Sequence, residues 1–308
     1  MPAAGFPFHG LRVEGLDRSD PRRALRAAGL AAAALPRARS LLRRIGADAV
    51  MGGGGYVAGP VGAAALTLRV PLVLTEADSH LGLTNRLLAP AARRVCLAFP
   101  LAGRDGGRYL VTGRPTVAQT VDRARARAEF GIAPQETVVT VFGGSLGSRS
   151  INTAALEAFA GAPFRVLHIT GRRDYEELAR RAPGGGYELL DYLPLDRFAL
   201  ALAAADLVVA RAGGSVFELA AQGLPAVLVP YPHAAGDHQA ANARWMSEAG
   251  AAVVIEDSEL TPARLGGEVA ALLADEHRLR AMASASAGLA RPDAARAVAG
   301  ELLRAAGR

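Results

Sequence analysis

Two glycine-punctuated turns in the second half of the chain have the composition of phosphate-binding loops. The first, FGGSLGS at residues 142–148, follows the apolar run TVVTV and precedes a predicted helix that begins near Ser148. Backbone N–H groups in such a turn can point at an anion, and the dipole of the helix adds partial positive charge. Gly144 and Ser145 are therefore candidate phosphate ligands. The alternative is a tight connection in which the glycines serve backbone geometry alone.

The second turn, RAGGSVFE at residues 211–218, repeats this arrangement after the apolar run ADLVVA. It offers Gly214 and Ser215 to a phosphate and places Glu218 in the first turn of a predicted helix. A carboxylate at that point can accept two hydrogen bonds from ribose hydroxyls. An acid in a first helical turn can also serve only as a partner for the helix dipole. Two phosphate-type turns in one domain favour the nucleotide interpretation.

A third group of polar residues follows the strand-like run PAVLVP, in the segment VPYPHAAGDHQAANA. The carboxyl ends of parallel strands form the usual ligand-binding edge of an open α/β sheet. The candidates here are Asp237, His238, Gln239 and Asn242. Helix capping explains Asp237 equally well, but it does not readily explain Gln239 and Asn242 together.

Two loops in the first half of the chain have similar properties. The run GGGGYVAGP lies between a strand-like and a helical pattern, and four consecutive glycines cost more backbone entropy than a simple turn requires. Its candidate anion-receiving residues are Gly53, Gly54, Gly55 and Tyr56. The loop TEADSHLGLTN brings further polar groups to the same predicted edge, namely Glu76, Asp78, His80 and Asn85. The alternative for these four is an ordinary solvated loop.

Ten short apolar runs alternate with alanine-rich helical patterns, which predicts an α/β fold with parallel sheets. The pattern restarts after a charged stretch near residues 115–135, so we predict domains at 1–125 and 126–308, with the final helix packed across their seam. Only one weak strand, GLRVEGL at residues 10–16, precedes the helical pattern at 22–46. The first domain is therefore expected to lack at least one βα unit at its front.

Composition excludes several classes of protein. The formal charge of +6 (35 − 29) is carried by arginine, since the chain has no lysine, and the single Cys96 cannot form an internal disulfide, which favours the cytoplasm. The longest uncharged run, residues 49–68, contains glycines and Pro60 that argue against a membrane span. No zinc-type cysteine pattern, Walker sequence, Asp-X-Asp pair or nucleic-acid motif is present. We therefore predict no tightly bound cofactor, no obligatory metal and no nucleic-acid partner.

Taken together, GGGGYVAGP, TEADSHLGLTNRLLAP, FGGSLGSRSIN and RAGGSVFELAAQGLPAVLVPYPHAAGDHQAANA resemble the MurG family. Members are undecaprenyldiphospho-muramoylpentapeptide β-N-acetylglucosaminyltransferases of bacterial peptidoglycan synthesis. The resemblance extends from about residue 8 to the C-terminus. It implies a GT-B fold, in which two Rossmann-like lobes face a cleft. It also implies UDP-GlcNAc on the C-terminal lobe, a polyprenyl-diphosphate-linked acceptor on the N-terminal lobe, and an inverting transfer.

The resemblance implies roles for individual donor-binding residues. Ser145 corresponds to a serine that contacts the donor, Ser215 falls in the α-phosphate loop, and Glu218 corresponds to the ribose-binding glutamate. Leu193 falls where a backbone contact to uracil is expected, and His238 and Gln239 correspond to a pair near the sugar.

Three positions depart from the family pattern. Asp78 stands where an asparagine is usual, and Ala77 replaces the preceding glutamine. Val117 stands where the family has an arginine, for which the nearby Arg114 could substitute. The family also has a Gly-Gly-Thr-X-Gly-His turn whose histidine is the proposed general base, and this sequence has no such turn. The catalytic base therefore stays open, with Asp78 and Glu76 as candidates, and donor binding is expected to exceed turnover.

The segment 21–46 groups arginines at both ends of a helical pattern, which predicts peripheral contact with the anionic inner face of the cell membrane. The alternative is an ordinary surface helix. Three other functions share turns of this kind: a glycolipid-forming UDP-sugar glycosyltransferase, a UDP-GlcNAc 2-epimerase, and a non-catalytic remnant that binds a UDP-sugar. Fold alone does not separate them.

Overall fold

The computed structural model describes residues 5–15, 20–116 and 121–308. Contacts between Cα atoms divide the chain into two compact units, Met1–Arg114 with Asp293–Arg308, and Pro115–Pro292. The described residues contain ten β-strands, each of which overlaps one of the ten apolar runs, and twelve α-helices between and around them. The prediction of two parallel-sheet α/β domains is confirmed.

The first unit contains a four-stranded parallel sheet in the order β1-β2-β3-β4. Its strands are β1 (Val50–Gly52), β2 (Leu72–Glu76), β3 (Arg94–Leu97) and β4 (Tyr109–Val111). Its helices are α1 (Pro21–Ile45), α2 (Gly55–Thr67), α3 (Leu83–Leu88) and α12 (Ala294–Ala305), with a short 3-10 helix at Ala89–Ala91. Residues 10–15 form no strand, so the expectation for GLRVEGL was wrong over the described part of that segment.

The second unit contains a six-stranded parallel sheet in the order β10-β9-β8-β5-β6-β7. Its strands are β5 (Val138–Phe142), β6 (Arg165–Ile169), β7 (Tyr187–Leu190), β8 (Leu207–Ala210), β9 (Ala226–Leu228) and β10 (Ala252–Val254). Its helices are α4 (Arg123–Glu129), α5 (Arg149–Ala158), α6 (Tyr175–Ala179), α7 (Leu195–Ala204), α8 (Val216–Ala221), α9 (His238–Glu248), α10 (Pro262–Ala274) and α11 (Glu276–Gly288), with 3-10 helices at Ala235–Asp237 and Asp257–Glu259.

The strand order of the second unit has a switch point between β5 and β8. From β5 the chain moves outward through β6 and β7, and then returns to the other side of β5 for β8, β9 and β10. All five residues of β5 are buried, as expected for a central strand covered on both faces. In sheets of this kind, ligands bind outside the carboxyl ends of the strands at the switch point.

The division into units differs from the predicted boundary at residues 125 and 126, for two physical reasons. Helix α4 is tied to the second unit, because the Arg127 guanidinium donates to Asp206 just before β8, at 2.9 Å. The final helix α12 packs on the first sheet, where Val298 joins Val73 and Cys96 in one buried cluster. Burial raises the pKa of the Cys96 thiol to about 11, so this thiol stays protonated at neutral pH.

Helix α1 packs its alanine-rich side against the first unit. The buried residues Ala27, Ala34, Ala38 and Leu42 recur at helical spacing, and α1 packs closely on α2. Asp20 caps the amino end by accepting from the Arg22 amide at 2.9 Å. Gly46 ends the helix in the left-handed conformation, with φ of 61°. The apolar side is therefore used for packing, and the outward face is left to the arginines.

A buried hydrogen-bond network lies beneath α5. The His168 side chain is fully buried; its Nδ1 lies 2.7 Å from the Tyr187 hydroxyl and its Nε2 lies 3.1 Å from Asn152 Oδ1. Asn152 Nδ2 donates to Thr170 O at 3.0 Å and to Asp174 Oδ2 at 3.2 Å. Asn152 Oδ1 is thus the acceptor, so His168 carries its proton on Nε2 and accepts from Tyr187. Burial lowers the pKa of His168 to about 3.

We expect this histidine to make the second unit acid-sensitive. Because the pKa of His168 falls from 6.5 to about 3 on folding, the unfolded chain binds a proton between these pH values that the folded chain does not. Stability therefore falls as the pH drops below 6.5, by about 2 kcal/mol at pH 5. Urea unfolding at pH 7.5 and 5.0, followed by fluorescence of the single tryptophan Trp245, measures this loss.

The variant His168→Gln should lose this part of the pH dependence. The matched control is His277→Gln on the exposed surface of α11, which should keep the pH dependence of the wild-type chain. Equal pH dependence in His168→Gln and the wild type would contradict the assignment of a neutral, buried His168.

Candidate functional site

The two glycine turns predicted to bind phosphate flank the switch point of the second sheet. The turn FGGSLGS connects β5 to α5, and the turn RAGGSVFE connects β8 to α8. Since β5 and β8 are neighbouring parallel strands, both turns lie at the same carboxyl edge. Helix α5 begins after Ser148, as the sequence predicts, and the Ser148 side chain makes no capping bond to its amides.

Steric crowding explains two of the glycines in FGGSLGS. A Cβ at Gly143 would lie 2.3 Å from Ser148 N, and a Cβ at Gly147 would lie 2.0 Å from Thr170 O. Gly171 faces Gly147 from the loop after β6, where a Cβ would lie 2.4 Å from Gly147 N. The geometric interpretation therefore holds for Gly143 and Gly147. Gly144 has open space around it and a φ of +92°.

Gly144, Ser145 and Leu146 form the exposed tip of this turn. The turn closes through a bond from Gly147 N to Gly144 O at 2.9 Å. The residues predicted to contact a ligand are thus accessible, whereas the glycines on either side are fixed by packing. The turn is held rigidly and presents a hydroxyl and backbone groups at the edge of the sheet.

The second turn places its predicted residues in the same way. Gly214 and Ser215 are partly exposed, and Glu218 lies in the first turn of α8 and is partly buried. Ser215 stands at the amino end of α8, but its side chain does not cap the helix. Its hydroxyl is therefore not used by the helix amides.

Polar residues after β9 support this turn. Asn242, predicted as a donor ligand, is only 2% exposed and donates to Ala212 O at 3.0 Å, directly before Gly213. Gln239 Oε1 accepts from Tyr231 N at 2.9 Å. Asn242 therefore anchors the RAGGSVFE turn, and Gln239 anchors the loop after β9. Asp237 adopts a left-handed φ of 55° and makes no side-chain cap of α9, so helix capping does not explain this residue.

Leu193, predicted to contact uracil through its backbone, lies in the loop between β7 and α7. Its side chain is buried at 5% exposure. The neighbouring Tyr192 ring is exposed and lies 4.6 Å from the guanidinium carbon of Arg172, in the loop after β6. His238 begins α9 and is partly buried.

Exposed apolar side chains of the second unit are concentrated at this same edge. Within its described residues, the exposed large hydrophobic side chains are Leu146, Tyr192, Leu195 and Tyr231. They follow β5, β7, β7 and β9, respectively. An apolar surface next to rigid polar turns is typical of a small-molecule site.

In the first unit, the GGGG turn and the TEADSHLGLTN loop are bonded together. Gly54 and Gly55 have φ of +78° and +70°, and Gly54 precedes α2 without a side-chain cap. Thr84 Oγ1 donates to Gly55 O at 2.8 Å, and a Cβ at Gly54 would lie 3.3 Å from Asn85 Nδ2. Tyr56 is 53% exposed. The predicted acceptor-binding residues therefore form one turn, backed by a buried asparagine.

Glu76, one of the two candidates for the catalytic base, is occupied as an acceptor. It is buried, and its carboxylate accepts from Gly82 N at 2.8 Å, Asn85 Nδ2 at 2.9 Å and Asp78 N at 3.2 Å. Three donors occupy its carboxylate oxygens and leave little access for a substrate proton. Asp78 is more accessible, and nothing in the described ranges bonds to its carboxylate.

Asp78 and Arg114 belong to the first unit, whereas the other predicted donor-binding residues belong to the second. Arg114 is partly buried at the end of that unit. Val117, noted above for its departure from the family pattern, lies outside the described residues.

The sequence analysis missed one residue of this edge, Arg211. It directly follows β8, is 9% exposed, and its Nη2 donates to Ser150 Oγ at 2.9 Å. The signal in the sequence was an arginine placed between a buried strand and a glycine pair. A cation at that position requires buried acceptors.

The described residues offer neither a metal site nor a membrane span. Across residues 5–15, 20–116 and 121–308, no group of three or more His, Cys, Asp and Glu side chains is placed to hold a metal ion. None of the helices that the structure describes is long and apolar enough to span a bilayer.

Comparison with known proteins gives the family. The glycosyltransferase family 28 C-terminal domain model matches residues 138–298, and the N-terminal domain model of the same family matches residues 1–97. A curated relative from Moorella thermoacetica is 42% identical over 99% of this chain and 86% of its own length. It is named UDP-N-acetylglucosamine–N-acetylmuramyl-(pentapeptide) pyrophosphoryl-undecaprenol N-acetylglucosamine transferase.

Solved structures agree with this match. The crystal structure of MurG from Acinetobacter baumannii has a TM-score of 0.79 and 28% identity, covering 98% of this chain and 86% of that one. A putative UDP-N-acetylglucosamine 2-epimerase from Listeria monocytogenes has a TM-score of 0.69 at 17% identity, over 87% and 77% of the two chains, which shows a shared fold alone. The chain therefore belongs to the MurG family of glycosyltransferases and has its GT-B fold.

Proposed function

We propose that this chain transfers GlcNAc from UDP-GlcNAc to undecaprenyl-diphospho-muramoyl-pentapeptide, converting lipid I to lipid II in peptidoglycan synthesis. The observation that carries the proposal is the pair of rigid glycine turns at the switch point, in a chain 42% identical to a transferase named for this reaction. The donor is expected at this edge of the second unit, and no bound metal is part of the proposal.

On the donor side, each turn has a distinct task. Backbone amides and the hydroxyls of Ser145 and Ser215 would bind the diphosphate, and the Glu218 carboxylate would accept from the ribose hydroxyls. The backbone at Leu193 would select uracil, and His238 and Gln239 would lie near the sugar. The exposed apolar side chains at this edge support the assignment, because they would be covered by a bound nucleotide.

On the acceptor side, the turn from Gly53 to Tyr56 would receive the acceptor diphosphate. Two positive-φ glycines and an uncapped helix N-terminus support this role, because they leave backbone N–H groups for an anion. The exposed Tyr56 ring would cover part of the acceptor.

The proposed chemistry is a direct displacement at the anomeric carbon. The C4 hydroxyl oxygen of the muramoyl acceptor attacks C1 of GlcNAc, the bond from C1 to the UDP oxygen breaks, and a β-linked product forms from an α-linked donor. The hydroxyl proton must pass to a base, for which Asp78 is the more accessible of the two candidates. Amides and helix dipoles would stabilise the departing diphosphate.

The test separates this function from its rivals by its requirement for an acceptor. We expect UDP release from UDP-GlcNAc only when the polyprenyl-diphosphate acceptor is added. Turnover of UDP-GlcNAc without any lipid would support a 2-epimerase and contradict the proposal. Release with diacylglycerol alone would support a glycolipid-forming enzyme. UDP binding without turnover on any acceptor would support a non-catalytic remnant.

We also propose that the chain is cytoplasmic and binds the anionic inner face of the membrane through α1. Arg26, Arg37 and Arg44 are spaced by 11 and 7 residues, or about three and two helical turns, so they share one exposed face. Replacing Arg37 and Arg44 with serine should lower binding to anionic vesicles by roughly tenfold or more, since each basic side chain contributes about 1 kcal/mol at such a surface.

Co-sedimentation with vesicles that contain anionic lipid measures this effect. The matched control replaces two exposed arginines of the second unit, Arg180 and Arg280, with serine, which should leave vesicle binding unchanged. Equal losses in the two double variants, or binding that ignores anionic lipid, would show that α1 is an ordinary surface helix.

A further inference from the structure

Arg211 is the centre of a buried group of acceptors at the carboxyl edge of the second sheet. Its Nη1 lies 3.1 Å from Val229 O, 3.0 Å from Pro230 O and 2.7 Å from Asp257 Oδ1. The two carbonyls directly follow β9, and Asp257 begins the 3-10 helix after β10. One guanidinium therefore joins the ends of three neighbouring strands, β8, β9 and β10.

A serine extends this group to the first glycine turn. Arg211 Nη2 donates to Ser150 Oγ at 2.9 Å, and Ser150 Oγ donates in turn to Asp257 Oδ1 at 2.8 Å. The three side chains form a closed ring, and Ser148 Oγ lies 3.3 Å from Ser150 Oγ as a further hydrogen-bond partner. Ser150 is the second residue of α5, directly after the FGGSLGS turn. Arg211 itself directly precedes the Ala212-Gly213-Gly214 segment.

We infer that Arg211 is a positioning residue that sets the spacing between the two donor-binding turns. The inference rests on the proposed function, because it concerns the same UDP-binding edge. The guanidinium, which itself follows β8, is occupied by protein acceptors on three other connections of the sheet, so moving it would move both turns relative to each other. Displacements of about 1 Å at such a site are enough to weaken binding strongly.

Arginine is suited to this task in a way that lysine is not. The planar guanidinium of arginine can donate to carbonyls, a carboxylate and a hydroxyl at the same time. The ammonium group of lysine carries three donors on one nitrogen and cannot span these acceptors. The guanidinium carbon also lies 5.4 Å from the centre of the Tyr231 ring, which covers it from the loop after β9. Tyr231 is bonded in turn to Gln239, so this loop is fixed as well.

The opposite edge of the same sheet contains a matched group. Arg127 is 5% exposed and donates to Asp206 Oδ2 at 2.9 Å and to Glu136 O at 2.8 Å. Asp206 directly precedes β8 and also accepts from Val138 N at 2.8 Å. Arg127 and Arg211 are thus both buried guanidinium groups that pair with a partly exposed carboxylate, near opposite ends of β8. Only Arg211 lies at the edge with the donor turns.

The experiment compares Arg211→Lys with Arg127→Lys in the full chain. Calorimetry with UDP gives Kd, thermal unfolding gives Tm, and a donor titration gives KM and kcat. We expect both variants to lower Tm, but only Arg211→Lys to raise the Kd of UDP, by about tenfold or more. The KM for UDP-GlcNAc should rise in step with the Kd of UDP, because the displaced turns bind the same diphosphate in both ligands.

Ser150→Ala provides a second variant that removes one hydroxyl and retains the packing of α5. It should raise the Kd of UDP by about threefold to tenfold, as expected for the net loss of one ordinary hydrogen bond. An unchanged Kd in Ser150→Ala and Arg211→Lys, or an equal rise in Arg127→Lys, would overturn the inference. Absence of UDP binding to the wild-type chain would overturn the proposed function and this inference with it.

Discussion

Replacing Glu218 with alanine should reduce kcat/KM for UDP-GlcNAc by about 100-fold, because two charge-assisted hydrogen bonds to the ribose would be lost at about 1.5–3 kcal/mol each and water restores part of this loss. The carboxylate lies in the first turn of α8, directly after the turn assigned to the phosphate. Calorimetric titration with UDP should show the same loss as the kinetics, because the ribose is present in both ligands.

A control distinguishes ribose binding from simple stabilisation of a helix. Glu176 occupies the first turn of α6 in the same unit and is exposed. Glu176→Ala should lower stability slightly, by roughly 0.3–1 kcal/mol, and leave UDP affinity unchanged. If Glu218→Ala behaved like Glu176→Ala in both measurements, Glu218 would be only a partner of the helix dipole.

Replacing Gly147 with alanine should destabilise the second unit by about 3 kcal/mol or more and abolish UDP binding under native conditions. The added Cβ would lie 2.0 Å from Thr170 O, which is a backbone atom that cannot rotate away, and φ at this position is +76°. The FGGSLGS turn and the loop after β6 would have to separate. Urea unfolding followed by Trp245 fluorescence reports this unit, because the chain has a single tryptophan.

The matched control is Gly131→Ala, also in the second unit. Gly131 has a φ of +58°, but a Cβ there meets nothing within 4 Å. This variant introduces the backbone strain without the steric clash. It should therefore lower the free energy of unfolding by about 1 kcal/mol and leave UDP binding intact. An equal loss of unfolding free energy in Gly131→Ala and Gly147→Ala would show that the FGGSLGS turn and the loop after β6 are not in close contact.

Much of the architecture could be predicted from local sequence patterns. Parallel strands buried on both faces consist of continuous apolar runs, so VVTVF and LVVA predicted β5 and β8 directly. Glycine turns between strands and helices predicted where α5 begins and where Glu218 lies. These features depend on residues close together in the chain, which is why a single sequence was sufficient.

The features that could not be predicted depend on contacts between distant residues. Helix α12 packs on β2 and β3, more than 190 residues away in the chain, as the Arg94 to Glu301 ion pair with |i−j| of 207 illustrates. Glu76 has a side chain that could act as a catalytic acid or base. Its hydrogen bonds with Gly82 and Asn85 form only because the loop folds back onto β2. The hydrogen bonds of the Arg211 group join residues separated by 18 to 107 positions. The spacing of apolar residues along the sequence does not predict such hydrogen bonds.

The proposed reaction joins GlcNAc from UDP-GlcNAc to a lipid-linked muramoyl acceptor. Mass spectrometry and NMR of the lipid product, after incubation with UDP-GlcNAc and undecaprenyl-diphospho-muramoyl-pentapeptide, measure its outcome. We expect an acceptor that has gained one GlcNAc in β linkage at the C4 oxygen, with one UDP released for each product. An unmodified acceptor recovered while UDP-GlcNAc is consumed, or a product in α linkage, would contradict it.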